Sequence, residues 1–154
     1  MRRAFTMIEL VFVIAVIGIL AAIAVPKFTA TRDDATAVKA KTTVASIRSA
    51  ISTEVQKRMM AGTYTPIANL GGTTGGYDKA IFDYFDGNNQ NGRVLEYPPH
   101  SCKSASSKGC WMRTGVNTYR YYFSGSSATV DFTVSNNRFD CVNPTSSQCA
   151  KLDR

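Results

Sequence analysis

The side chains that could do chemistry in this sequence are few and unevenly placed. Four cysteines, Cys102, Cys110, Cys141 and Cys149, lie in the last third of the chain, with seven residues inside each adjacent pair. The one histidine, His100, stands just before the first of them. Zinc sites built from thiolate and imidazole use tight pairs such as CxxC, and that spacing is absent, so a metal is not the expected use of these cysteines. The serines of "SASSKG" and "SGSS" have no base in a recognisable motif, and no Gly-rich phosphate loop occurs, so no catalytic constellation is legible and an enzyme is not expected. Asp86, Asn88 and Asn91 in "DGNNQNGR" invite a calcium reading. With Asp86 as first ligand, however, Asn91 stands where an EF-hand needs glycine and Tyr97 where it needs the closing glutamate. A turn-rich surface loop without a cofactor is the expectation, with calcium as the lesser alternative.

The remaining chemically conspicuous side chain is Glu9, a carboxylate at the edge of a charge-free apolar run from Leu10 to Val25. The segment from Phe5 to Val25 is long enough to span a bilayer, at roughly 32 Å for a hydrocarbon core of ~30 Å. Arg2 and Arg3 precede it, which keeps a short N-terminus cytoplasmic and sends the rest of the chain across. The cysteines then land in an oxidising compartment, where an even count reads as disulfides. Three uses of the segment compete. An ordinary secretory signal would be cut at Ala22-Ile23-Ala24, releasing a disulfide-containing binding domain after Ala24. A plain membrane anchor would tolerate Glu9 at the interface. The third use keeps the helix and gives Glu9 a role.

Ala4-Phe5-Thr6-Met7-Ile8-Glu9-Leu10, followed by an unbroken apolar helix with Gly18 inside it and Pro26 at its end, resembles the N-terminal signature of type IV pilins and of type II secretion pseudopilins. The resemblance covers about the first 30 residues, and Ala4 departs from the glycine usual before the cut. It implies that a prepilin peptidase cleaves between Ala4 and Phe5 and methylates the new amine of Phe5. It further implies an assembly platform in the bacterial inner membrane and a helical polymer of identical or homologous subunits, as a periplasmic pseudopilus or an extracellular pilus. The family's pattern gives Glu9 a partner in the Phe5 amine of a neighbouring subunit. A carboxylate inside a spanning helix costs about 2.5 to 3.5 kcal/mol on insertion scales, so one unpaired in the lone subunit and paired in the bundle favours assembly. Gly18 and Pro26 are candidate breaks in the helix, because proline removes the bond to the carbonyl four residues back, at Ala22.

These chemical groups need elements to carry them. Beyond Pro26, Ala40, Val44, Ile47, Ile51, Val55 and Met59 recur at helical spacing, and Gly62 and Pro66 supply stop signals. The simplest join is one helix from about Phe5 to about Ala61, membrane-spanning in its first half and amphipathic in its second. Its basic residues are a solvated face or contacts to acidic neighbours; nucleic acid is not expected, for want of interleaved exposed aromatics. The chain carries a net charge of +7, of which residues 1–62, with nine Lys/Arg against four acids, hold +5. That charge could face anionic lipid, an acidic partner subunit or nucleic acid.

In the head, "NLGGTTGG" reads as a flexible connection, Tyr77 to Phe85 as a short helical turn, and Val94 to Tyr97, Thr118 to Ser124 and Ala128 to Val134 as strands. The expected class is α+β, pilin-like: a long N-terminal helix packed on a small antiparallel sheet. The organisation divides into a leader (1–4), an assembly helix (5–26), an amphipathic helix (27–62) and a head with cysteine-bounded loops (63–154). Of the three disulfide connectivities, Cys102–Cys110 with Cys141–Cys149 is preferred, each closing a small loop worth about 2 to 3 kcal/mol in the chain-entropy model.

Overall fold

The computed structural model describes residues 5–153, with side chains for 5–24 and 32–153. One helix, α1 (Met7–Met60), runs for 54 residues, roughly 81 Å at 1.5 Å per residue. The helical assignment passes through Gly18 and Pro26, so in the single chain neither position interrupts α1. The Pro26 side chain lies outside the described residues, as does Ala4.

α1 ends at Ala61, whose N–H donates to the Lys57 carbonyl, and Gly62 follows in the left-handed region that glycine occupies without strain. Only its second half meets the head. Ala40, Val44, Ile47 and Ile51 are buried as their spacing predicts. Val55 is half-buried, and Met59 departs from the expected stripe at 54% exposure.

The head is built on four antiparallel strands in the order β1-β2-β3-β4: β1 (Cys110–Arg113), β2 (Thr118–Tyr122), β3 (Thr129–Ser135) and β4 (Arg138–Cys141). Register pairs Trp111 with Tyr121, Tyr119 with Phe132 and Val134 with Phe139, so alternate residues present one apolar face. Phe82 packs edge-on to Trp111 and Phe139 from the preceding loop, and Phe132 stacks on Phe139 at 5.1 Å. A short helix, α2 (Ser147–Asp153), buries Cys149 and Leu152 against the same core.

Two expected strands stand nearly where they were read, at β2 and β3. The third does not: Val94 to Tyr97 is not a strand, and Tyr77 to Tyr84 is not helical, the one short 3-10 turn there starting only at Phe85 (Phe85–Gly87). These segments run beside one another with single bridges at Tyr84–Arg93 and Ala80–His100, held by Val94 N–H to Asp83 C=O and Leu95 N–H to Phe82 C=O. Sheet positions were instead taken by β1 and β4, which the apolar pattern did not mark because each is only four residues long. β4 is reached through Asn136 and Asn137, both with positive φ, the conformation a two-residue hairpin turn of matching twist requires.

Among the contacts that tie down the 63–76 connection is one buried phenol. Tyr119, fully buried, donates its O–H to the Gly71 carbonyl at 3.0 Å and accepts the Leu70 N–H at 2.8 Å. Burial pushes the Tyr119 phenol up to about 12 from its ordinary 10.0, against the pull of the Leu70 N–H. The stability this contributes is complete below pH 10.0 and is lost as pH rises through about 12. Tyr119→Phe should therefore cost about 1 to 3 kcal/mol at neutral pH, by orphaning the Leu70 N–H, with the deficit narrowing above pH 10.0. Urea unfolding in mild detergent, followed by Trp111 fluorescence, measures both.

Candidate functional site: the N-terminal assembly helix

From Phe5 to Ile23 every side chain of α1 is exposed, including Phe5, Ile8, Phe12, Ile14, Ile19 and Leu20. The stretch Met7–Ala24 is long and apolar enough to cross a membrane. None of that window is buried against the head. A surface this apolar is stable only in lipid or against other apolar helices.

The helix begins with a hydrogen-bonded device that the reading of Glu9 as unpaired in the lone subunit did not anticipate. Thr6 is the N-cap, in extended conformation, with its Oγ1 3.4 Å from the Glu9 N–H it accepts. Glu9 reaches back, its Oε2 accepting the Thr6 N–H at 2.9 Å and the Thr6 O–H at 2.8 Å. This reciprocal capping box satisfies two orphan donors of the first turn and partly solvates the carboxylate with its own chain. Glu9 is thus hydrogen-bonded in the single chain, yet no cation pairs with it among the described residues, and its Oε1 accepts no bond there. The signal was present as Thr6-x-x-Glu9 before an apolar run. All four of these residues would remain after a cut between Ala4 and Phe5.

The other candidate residues fall in the head, far along the sequence from Glu9. Cys102 is bonded to Cys110 and Cys141 to Cys149, with Cα separations of 5.2 and 6.1 Å, and no described cysteine is free. The first bond closes an exposed loop over Lys103–Gly109; the second links the end of β4 to α2. Of the calcium candidates, Asp86 is committed to donors. Its Oδ1 accepts the Ala68 N–H at 2.6 Å, while Oδ2 accepts from Arg58 Nη2 at 2.6 Å and from Asn91 Nδ2 at 3.1 Å. Asn88 caps Gln90 through its side-chain oxygen. No cluster of three or more ligating His, Cys, Asp or Glu side chains occurs among the described residues.

Asp86 instead secures the end of α1. Arg58 bridges it to Glu54, which is buried and also takes Lys57 at 3.3 Å. Burial alone would raise the Asp86 carboxyl, but the Ala68 N–H and the Arg58 guanidinium outweigh it and hold the group below its ordinary 3.8. Its stabilisation is therefore present above pH 3.8 and is lost as pH falls through the lower folded value.

The comparisons with known proteins bear on this helix. The prokaryotic N-terminal methylation motif matches residues 1–25. The type IV narrow pilus major component PilA5 of Thermus thermophilus is 50% identical over 48 residues. That match spans 31% of this chain and 41% of the relative, so the chain aligns with less than half of that protein's length. The N-terminal segment is thus similar to that of a type IV pilus component and carries the methylation motif. No solved structure matches the chain. The pilin-like α+β architecture expected from the sequence is the one observed, a long apolar-then-amphipathic helix against a four-stranded antiparallel sheet.

Two outcomes follow from these contacts. Thr6→Val should remove the cap and cost the first turn about 1 kcal/mol, read as faster hydrogen exchange of the Leu10 and Val11 amides in micelles, with Thr6→Ser restoring protection. Asp86→Asn should cost the head about 2 kcal/mol at neutral pH, a deficit that fades below pH 3.8 in urea titrations.

Proposed function

We propose that the chain is a structural subunit of a pilus-like filament. In this reading a prepilin peptidase cuts before Phe5 and methylates its amine, and the subunit polymerises through α1 from the inner membrane. The observation that carries the reading is the wholly exposed apolar half of α1, headed by a capped carboxylate. Lipid can cover that half before assembly and neighbouring helices after it, without change in the head. Glu9 adds specificity. Its free Oε1 can accept the ammonium of a neighbour's Phe5 while Oε2 stays with Thr6, so pairing need not break the cap. Buried among apolar helices, such a pair penalises every register that leaves either charge alone.

Similarity to a component of a type IV narrow pilus favours a pilus over a secretion pseudopilus. The partners are then further copies or homologues of this chain, with the peptidase and an assembly platform acting on it in the membrane. The Ala22-Ile23-Ala24 site of the secreted alternative lies within the continuous helix α1.

Intact-mass measurement of the native protein tests the reading. A chain beginning at Phe5 with one added methyl is expected; a chain beginning at Val25 overturns it. Glu9→Ala should insert normally but reduce filament yield by more than about tenfold, since leaving one member of a buried pair alone costs about 3 to 5 kcal/mol. Undiminished filaments by electron microscopy would remove the pairing role.

A further inference from the structure

We propose that Asn91 is a modification site, where ring closure by the Gly92 nitrogen expels the side-chain nitrogen as ammonia. The acid left behind loosens the hold on the end of α1. The step takes place within the head and needs no second copy of the chain.

An asparagine loses its amide fastest where the next residue has no side chain, because the following backbone nitrogen must close a five-membered ring on Cγ and a Cβ obstructs it. Of the eight asparagines in the chain, Asn91 alone precedes glycine. The local structure adds to this. Asn91 is the last residue of a single 3-10 turn (Asn89–Asn91), and Gly87, Asn88, Asn89 and Gln90 before it are all exposed. Rotation at Asn91 therefore breaks one short turn and opens no core. Lys57 Nζ stands 3.7 Å from the point where a Gly92 Cβ would lie. An ammonium there favours both the deprotonated Gly92 nitrogen and the oxyanion that forms on Asn91 Cγ. A cleft of about 320 Å³, lined in part by Lys57, Gln90 and Asn91, admits water. In the step a bond forms from the Gly92 nitrogen to Cγ, the Cγ–Nδ2 bond breaks, and ammonia leaves with a proton from water. The cyclic imide then adds one water at either carbonyl, giving aspartate or its β-linked isomer, with no change of oxidation state.

Asn91 is placed so that its conversion matters. Its Nδ2 donates to Asp86 Oδ2 at 3.1 Å, the same oxygen that accepts from Arg58 Nη2 at 2.6 Å. In the aspartate product an oxygen replaces that nitrogen, so Asp86 loses a donor and a second carboxylate faces the first. Two carboxylates so close repel each other and compete for Arg58. The β-linked isomer lengthens the backbone by one carbon and shortens the side chain by one, which withdraws it from Asp86. Either product disturbs the carboxylate through which Arg58 and Glu54, at the end of α1, are joined to the Ala68 N–H. Asp86 also precedes a glycine, Gly87. Its carboxylate, however, is kept ionised by these donors, and an ionised carboxylate is a poor electrophile, so the reaction falls to Asn91.

Ageing the full-length chain in detergent micelles, in warm and mildly alkaline buffer, tests the site. Peptide mass spectrometry follows the amide-to-acid mass gain at each asparagine. Asn91 should convert several-fold faster than Asn117 and Asn143, giving both aspartate and the β-linked isomer, and Lys57→Gln should slow it. The urea midpoint, read by Trp111 fluorescence, should fall as conversion proceeds. Asn91→Asp should show a lowered midpoint from the start, whereas Asn91→Gln should hold its own midpoint through the same ageing. Conversion of Asn91 no faster than that of Asn117 and Asn143 in the folded chain overturns the site. Full conversion with an unchanged midpoint overturns the loosening.

Discussion

An apolar helical surface from Phe5 to Ile23 that nothing among the described residues covers is the constraint on which the rest of the molecule depends. The head cannot fold back over it, because the same helix continues rigidly into the core through Ala40, Val44, Ile47 and Ile51. One continuous element therefore serves two solvents: lipid or other helices over its first half, and the chain's own sheet over its second. Continuity means that a displacement along the first half is transmitted to the head as a rigid-body motion. Such coupling suits a subunit whose axial register is set at one end and whose surface is displayed at the other.

The head in turn behaves as a clamp on the second half of α1, and ionic contacts mark the points of attachment. Arg48 donates to the Phe139 carbonyl at 3.0 Å and pairs with Asp153, tying α1 to β4 and α2 at once. Arg58 does the same at the end of the helix, where Glu54 and Asp86 hold it and its Nη1 reaches the Thr65 carbonyl at 3.1 Å. Between these points the contact is apolar, with an aromatic cluster of Phe82, Trp111, Tyr119, Phe132 and Phe139 behind it. Both disulfides lie on the side of the head chain, not across the helix interface, so they limit the freedom of its loops and leave the hold on α1 to packing.

What was legible in the sequence was what repeats. The α1 stripe recurs over many turns, and β3 alternates strictly from Val130 to Val134, so periodicity located both. β1 and β4 are too short to establish a period, and their signals lie in their neighbours: the Asn136-Asn137 turn for β4 and the Cys102–Cys110 tie for β1. Val94 to Tyr97 had strand composition but found its partner in the 82–85 loop through isolated bonds. At the N-terminus Glu9 was legible as an anomaly, but Thr6 was not read with it. A carboxylate beside an apolar run stands out as a membrane cost, yet the first turn of any helix also has orphan N–H groups that a carboxylate three residues on can satisfy.

That pairing changes how the cost of Glu9 should be reckoned. An unsolvated carboxylate would press toward protonation or toward the interface, and insertion of the lone subunit would suffer for the sake of the polymer. With Thr6 donating from both its N–H and its O–H, part of the desolvation is offset before any partner arrives, and the side chain is held in one rotamer. The carboxylate is oriented with one oxygen open, so an incoming ammonium meets a preformed acceptor and less ordering entropy is lost on pairing. A capping box at the head of an exposed apolar helix thus relaxes the conflict between entering the membrane and leaving it for a filament. The same carboxylate is tolerable in the first setting and discriminating in the second.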